Sequence, residues 1–98
     1  MYESLHMMYV YILTNPRKTT FYTGVTNNLK RRIQEHKMNK GIKETFAGTY
    51  FCNKLVYFEK FESPMKAIER EKEIKKLSRE KKIRLIKEKN PMMHEYII

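Results

Sequence analysis

The chain has 98 residues, of which 41% are hydrophobic and 12% aromatic, so the sequence predicts one small globular domain and excludes a disordered polypeptide. Its 21 Lys and Arg residues against 11 acidic residues give a formal net charge of +10, which indicates a polyanionic partner, either nucleic acid or an anionic membrane surface. We recognise no apolar run near the roughly 18 residues of a membrane span, no signal peptide and no lipidation motif. These features favour nucleic acid and predict no membrane association.

The chain has one cysteine, Cys52, which excludes an internal disulfide and a cysteine-based zinc site. We interpret it as a buried thiol, in keeping with a reducing cytoplasmic location. The three histidines, at positions 6, 36 and 94, lack the spacing of metal ligands, so we expect no structural zinc.

The first half of the chain predicts a β-hairpin. The continuous apolar and aromatic run Met8–Leu13 is typical of a strand that is buried on both faces. Residues 15–20 (NPRKTT) are turn residues, and Phe21–Thr26 reads as a second strand. Asn28 then precedes a helical pattern that we expect from Leu29 to Met38.

The second half predicts a third strand and two more helices. We interpret residues 39–53 as loop and Leu55–Phe61 as the strand. Ser63 and Pro64 are typical of a helix N-cap and first helical position. Ser78 can cap a third helix, and the Asn-Pro pair at positions 90 and 91 predicts its end.

The order β-β-α-β-α-α predicts an α/β fold in a single small domain, with a three-stranded, mostly antiparallel sheet flanked by helices. We expect this domain to span residues 8–90, after a flexible N-terminal lead-in at residues 1–7 and before a C-terminal tail at residues 91–98.

Two polar side chains of the first helix share the side of its apolar residues. Leu29 and Ile33 define the stripe that faces the core, and Arg32 and His36 fall at its i+3 and i+7 positions. Arg32 can be explained by an aliphatic stem that lies over the core, with its charged head in water. His36 can equally be a hydrogen-bonded boundary histidine.

Glu71 falls in the middle of the apolar stripe of the second helix, which we assign to Ala67, Ile68 and Ile74. A carboxylate is rarely buried alone, because removing its charge from water is costly. Glu71 thus needs an arginine, a lysine or a metal ion as its partner. A buried salt bridge, for which Arg32 is the expected partner, and a metal ion carry equal weight.

Aromatic residues and a glycine share one face of the predicted hairpin. Tyr9 and Tyr11 lie on one face of the first strand, and Tyr22 and Gly24 on one face of the second. Cross-strand packing explains the tyrosines. A glycine within a strand often marks the close approach of a ligand or of another part of the protein.

These residues together resemble the GIY-YIG nuclease family. The resemblance covers roughly residues 8–90 and looks closest to small stand-alone bacterial members, which are related to the nuclease domain of the excision-repair incision subunit. The residues that carry it are Val10, Tyr11, Tyr22, Thr23, Gly24, Asn28, Leu29, Arg32 and Glu71.

The resemblance implies catalytic roles for Tyr11, Tyr22, Arg32 and Glu71, with Glu71 as the ligand of a divalent metal, Mg²⁺ or Mn²⁺. His36 occupies the position of a histidine in some restriction-enzyme members. Two departures concern a lysine and an asparagine of the family. Val25 stands where excision-repair members have the lysine, and Asn90, the candidate for the late asparagine, is equally explained as a helix C-cap.

The resemblance implies a metal-dependent DNA endonuclease or nicking domain, with DNA repair or recombination as the expected context. The alternative is a catalytically silent nucleic-acid-binding module on the same fold. We expect branched, damaged or nicked duplex DNA and an unidentified protein as partners, because so small a chain has little room to read sequence. The residues predicted to contact nucleic acid are Gly24, Lys30, Arg31, Arg32, Lys81, Lys82 and Arg84. Of these, the basic residues Lys30, Arg31, Lys81, Lys82 and Arg84 are predicted to form one contiguous phosphate-binding surface.

Overall fold

The computed structural model describes residues 7–38 and 51–98, and within these ranges the chain forms three strands and three helices. In chain order they are β1 (Met8–Thr14), β2 (Phe21–Thr26), α1 (Leu29–Met38), β3 (Lys54–Phe61), α2 (Pro64–Lys76) and α3 (Arg79–Lys89). This order confirms the predicted fold. Residues 1–6 and 39–50, which include most of the predicted lead-in and loop, lie outside the described residues.

The three strands form one antiparallel sheet in the order β2-β1-β3. Tyr11 at the centre of β1 lies opposite Gly24 on β2 and opposite Phe58 on β3. Because β1 has a strand on each side and helices above and below, its residues from Val10 to Thr14 are buried. The apolar run of the sequence therefore forms the central strand, as predicted.

The hairpin between β1 and β2 is closed by the side chain of Asn15. Its Oδ1 accepts hydrogen bonds from the backbone N–H groups of Thr19 at 2.8 Å and Thr20 at 3.0 Å. The backbone N–H of Lys18 donates to the carbonyl of Asn15 at 2.9 Å, and Lys18 has a φ of 59°. An asparagine that satisfies successive backbone donors is typical of a turn.

The helices cover the two faces of the sheet differently. On the α1 face, Leu29 and Ile33 cluster with side chains of Tyr11, Leu13 and Leu55. The opposite face, here the α2/α3 face, is covered by residues of the two later helices. The residues of that second cluster include Val10, Ile12, Val56, Ala67, Ile74 and Ile86.

The predicted apolar stripe of α2 is wrong in one residue. Ala67 and Ile74 are fully buried, whereas Ile68 is exposed. Ile68 lies about 100° around the helix from Ala67, so it turns away from the sheet. Ser63 caps this helix as predicted, since its side chain accepts from the backbone N–H of Lys66.

The predicted tail, residues 91–98, contains no helix or strand, yet it packs along β3. Asn90 is the C-cap of α3, and its side-chain amide donates to the carbonyl of Val56 at 3.0 Å. The backbone N–H of Tyr96 donates to the carbonyl of Leu55 at 2.8 Å. Asn90 therefore has a structural role in joining α3 and the tail to the sheet.

None of the helices in the two described ranges is long and apolar enough to span a membrane.

Candidate active site

The first turn of α1 places three cations beside the sheet. Asn28 is the N-cap: its Oδ1 accepts from the backbone N–H of Arg31 at 3.0 Å, and its carbonyl accepts from that of Arg32 at 3.0 Å. Lys30 and Arg31 are exposed, whereas Arg32 is only partly exposed. Leu29 and Ile33 face the core, and Arg32 lies on their side of the helix, as the spacing predicted.

Arg32, Tyr11 and His36 form a chain of hydrogen bonds on the α1 face. The guanidinium Nε of Arg32 donates to the Tyr11 hydroxyl oxygen at 3.4 Å. The same hydroxyl lies 3.0 Å from Nε2 of His36. Tyr11 is fully buried and His36 is buried. The tyrosine hydroxyl thus accepts from the arginine, and it donates to Nε2 of His36 when the neutral imidazole carries its proton on Nδ1.

The protonation states fit this direction of donation. Burial, and then the charge of Arg32, lower the pKa of His36 to about 4, so its imidazole is neutral at pH 7. Burial raises the pKa of Tyr11 to about 12, although the hydrogen bond from Arg32 acts in the opposite sense. The hydrogen bonds to Tyr11 and Glu35 raise the pKa of Arg32 above its ordinary value. At neutral pH Arg32 is therefore a cation, whereas the side chains of Tyr11 and His36 are both neutral.

Tyr22 joins the same group from β2. Its ring centroid lies 6.3 Å from that of Tyr11 and 5.3 Å from that of His36. Tyr22 is half-buried, so it is the more accessible of the two tyrosines. Of the predicted catalytic residues, the structure thus brings together Tyr11, Tyr22, Arg32 and His36.

Glu35 is a partner of Arg32 that the sequence analysis missed. Its Oε1 lies 2.9 Å from Nη1 of Arg32, whose side chain is 39% exposed. Its Oε2 lies 3.8 Å from Nε of Arg31. The i+3 and i+4 spacing from the two arginines was the available signal. Because this ion pair is exposed, an incoming phosphate can compete with Glu35 for the guanidinium.

Gly24 has a different explanation from the predicted contact with nucleic acid. It is buried, and a Cβ at this position would lie 2.5 Å from the Tyr11 hydroxyl oxygen and 2.6 Å from Cζ. Such distances are far inside van der Waals contact, so any larger residue would displace the Tyr11 ring. The close approach predicted at Gly24 is thus made by the side chain of Tyr11.

Glu71 forms a salt bridge, but with Lys75 and not with Arg32, so only the predicted partner is wrong. Its side chain is 15% exposed, and Oε2 lies 3.2 Å from Nζ of Lys75, one turn along α2. Arg32 pairs with Glu35 instead. The physical reason is that α1 and α2 cover opposite faces of the sheet, so the two stripes do not face one another.

Glu71 fits a divalent metal only as a single protein ligand. Within residues 7–38 and 51–98, no three acidic, histidine or cysteine side chains converge as a metal-binding group. Mg²⁺ prefers oxygen ligands and usually keeps several waters, while substrate phosphates provide others. One largely buried carboxylate beside an exposed, movable lysine is compatible with that donor set.

The basic residues belong to helices that cover opposite faces of the sheet, and their joining into one contiguous surface stays a prediction. Lys30 and Arg31 belong to α1, and Lys81, Lys82 and Arg84 belong to α3 on the other side of the sheet. Of these two groups, the one on α1 adjoins the tyrosines.

The low pKa of His36 predicts a stability loss in mild acid. In the unfolded chain His36 takes up its proton near pH 6.5, and in the folded chain near pH 4. Between these values the unfolded state binds more protons, so the free energy of unfolding falls as the pH falls through this window and levels off below it. The full loss should approach about 3 kcal/mol.

Urea unfolding at pH 7, 6, 5 and 4.5 measures this dependence, with His36→Gln as the variant that lacks the titrating ring. The variant should lose most of the pH slope between 6.5 and 4.5. An equal slope in both proteins would contradict the assignment of a buried, neutral imidazole.

Comparison with known proteins places this arrangement in a family. The model of the GIY-YIG catalytic domain matches residues 7–84. The chain therefore belongs to the GIY-YIG family, a nuclease superfamily, as the sequence resemblance implied.

Among its relatives are small proteins designated UPF0213. One from Natronomonas pharaonis is 46% identical over 78 residues, which cover 80% of this chain and 88% of that protein. One from Clostridium perfringens is 44% identical over 90 residues, covering 92% and 94%. The solution NMR structure of the UPF0213 protein BH0048 from Bacillus halodurans matches with a TM-score of 0.55 and 38% identity, covering 88% of each chain. These matches confirm the small α/β fold.

Proposed function

We propose that this protein is a divalent-metal-dependent DNA endonuclease that hydrolyses phosphodiester bonds. The observation that carries the proposal is the hydrogen-bonded group of Arg32, Tyr11 and His36 beside Tyr22. Membership of the GIY-YIG family supports it, and the formal net charge of +10 suits a nucleic acid substrate.

Arg32 is the residue that meets the phosphate. Its guanidinium is partly exposed and permanently charged, and its Nε donates a hydrogen bond to the Tyr11 hydroxyl oxygen. A planar guanidinium can donate two parallel hydrogen bonds to phosphate oxygens. In the free protein its Nη1 donates one hydrogen bond to Oε1 of Glu35. The charge that develops on phosphorus oxygens during hydrolysis then has a preorganised partner.

The two tyrosines have separate roles in this mechanism. Tyr11 is fully buried and its pKa is about 12, so at neutral pH it keeps its proton and acts as a positioning residue for Arg32. His36 accepts that proton in a hydrogen bond and fixes the orientation of the ring. Tyr22, the more accessible tyrosine, orients the attacking water.

Glu71 would hold Mg²⁺ or Mn²⁺, with water and phosphate oxygens completing the ligand set. Because α1 and α2 pack on opposite faces of the sheet, this role requires DNA that reaches both Arg32 and Glu71. When bound, the ion supplies positive charge to the leaving oxygen. Lys75, the present partner of Glu71, is 53% exposed and pairs with it one helical turn away. Because Lys75 is half exposed, its amino group can move into water when a metal ion takes its place.

A second candidate is a catalytically silent nucleic-acid-binding module. The observation that favours it is the position of α2, whose buried residues pack on the face opposite Tyr11, with Glu71 paired to Lys75. This candidate predicts DNA binding without hydrolysis under every metal condition.

Incubation with supercoiled plasmid and with branched, damaged and nicked duplexes tests the proposal, with Mg²⁺, Mn²⁺ or EDTA. We expect cleavage with Mg²⁺ or Mn²⁺ and none with EDTA. We expect the cleaved DNA to be of a kind that arises in DNA repair or recombination. Binding to all of these DNAs without product would establish the silent module instead. A cytoplasmic location and an unidentified protein partner also stay predictions.

A further inference from the structure

An open groove of about 640 Å³ lies beside the first turn of α1. It is distinct from the tyrosine, arginine and histidine group, none of which lines it, and combines aromatic rings with cations. The lining residues used below are Tyr9, Lys30, Arg31, Phe58 and Lys60.

The aromatic wall is a row of rings on the sheet face that α1 only partly covers. Phe58 is 36% exposed. It makes edge contacts with Tyr9, at 6.4 Å and 65° between ring planes, and with Tyr96, at 5.7 Å and 76°. A phenylalanine held on both sides yet open to solvent is a preformed surface on which another flat ring can stack.

The rest of the groove is positively charged. Lys60 lies opposite Tyr9 in the sheet register, and Lys30 and Arg31 project from α1. The contact of Arg31 with Glu35, at 3.8 Å and largely exposed, leaves its charge available. Rings combined with cations match the two parts of a nucleotide, its base and its phosphate.

We propose that this groove binds one unpaired DNA nucleotide next to the scissile phosphate, with its base stacked on Phe58 and its phosphate beside Lys30, Arg31 and Lys60. This proposal rests on the proposed endonuclease function, because a scissile phosphate exists only if the protein cleaves DNA. Tyr9 and Tyr11 lie two residues apart on one strand face, about 7 Å. A nucleotide in the groove thus adjoins a phosphate bound at Arg32.

The proposal narrows the substrate class. In continuous duplex DNA the bases are stacked on one another, and exposing one to Phe58 requires unstacking that costs a few kcal/mol. DNA with a single-stranded, displaced or bulged nucleotide carries no such cost. The groove therefore selects DNA that has unpaired nucleotides beside the cleavage position.

Fluorescence anisotropy in EDTA tests the proposal independently of turnover, with labelled oligo(dT)10 and a ten-base-pair blunt duplex as probes. Phe58→Leu keeps an apolar side chain and removes the stacking ring. It should weaken binding of oligo(dT)10 by about 5- to 100-fold while leaving the duplex nearly unchanged. Phe58→Tyr keeps the ring and should bind oligo(dT)10 as the natural chain does.

Two lysine variants provide a matched control. Lys60→Ser should weaken the binding of oligo(dT)10 more than the binding of duplex. Lys87→Ser makes the same charge change on the exposed side of α3 and should weaken the binding of both probes equally. Equal loss for both probes in Phe58→Leu, or no loss, would overturn the groove assignment in a variant whose melting temperature is unchanged. EDTA prevents metal-dependent cleavage during the binding measurement. A failure of the groove proposal would therefore not count against the proposed hydrolysis, which the plasmid assay tests separately.

Discussion

Replacing Arg32 with glutamine should lower the rate of DNA cleavage at saturating DNA by about 100- to 1000-fold. The variant loses the partly exposed cation that meets the phosphate, while the bond between the Tyr11 hydroxyl and His36 stays in place. The measurement is the initial rate of plasmid nicking, with the melting temperature recorded for both proteins. Melting should change little, since the lost ion pair with Glu35 is exposed.

Arg17→Gln is the matched control, because Arg17 is an exposed arginine in the hairpin turn and its loss changes the net charge equally. It should nick at nearly the rate of the natural protein. Equal rates in both variants would show that Arg32 contributes only general attraction for DNA, contrary to its assigned role.

Replacing Glu71 with glutamine should abolish metal-dependent cleavage, lowering it by about 1000-fold or more, as expected when a metal that supplies several kcal/mol of stabilisation is lost. DNA binding should stay equal or become tighter, because a negative charge is removed. The melting temperature should barely move, since Glu71 pairs with an exposed lysine and not with Arg32. Nicking, anisotropy and thermal melting measure the three quantities.

Glu69→Gln, at an exposed position of the same helix, is the control for loss of one carboxylate and should cleave normally. A Glu71→Gln protein that melts much lower but nicks at the natural rate would contradict the metal role. It would make the carboxylate a structural group.

The sequence predicted the elements of this fold well, because their boundaries depend on local chemistry. Ser63 and Ser78 cap their helices through contacts with the third residue beyond, which are visible in the sequence itself. The uninterrupted apolar run at β1 likewise indicated a strand covered on both faces. Arg32 and His36 were correctly placed on the inner side of α1, because helical spacing alone decides that.

Contacts between elements were harder to predict. Helical spacing shows that Glu71 lies on the inner side of α2, but not which face of the sheet α2 covers. The expected pairing with Arg32 failed for this reason, since α1 and α2 pack on opposite faces. The same distinction separates the basic residues of α1 from those of α3.

Gly24 shows a second limit. A glycine in a strand indicated a close approach, and the structure confirms one, but the neighbour is the Tyr11 ring of the adjacent strand. The register that brings these two residues opposite one another depends on the whole hairpin. Sequence spacing alone could not distinguish that ring from a bound phosphate.

The central claim, that this chain hydrolyses DNA with a metal held at Glu71, is tested most directly by one nicking gel. It compares the natural protein with Glu71→Gln, purified identically, on supercoiled plasmid in Mg²⁺ and in EDTA. We predict nicked product only from the natural protein in Mg²⁺. Equal nicking by both proteins, or DNA binding by the natural protein without any product, would contradict the claim.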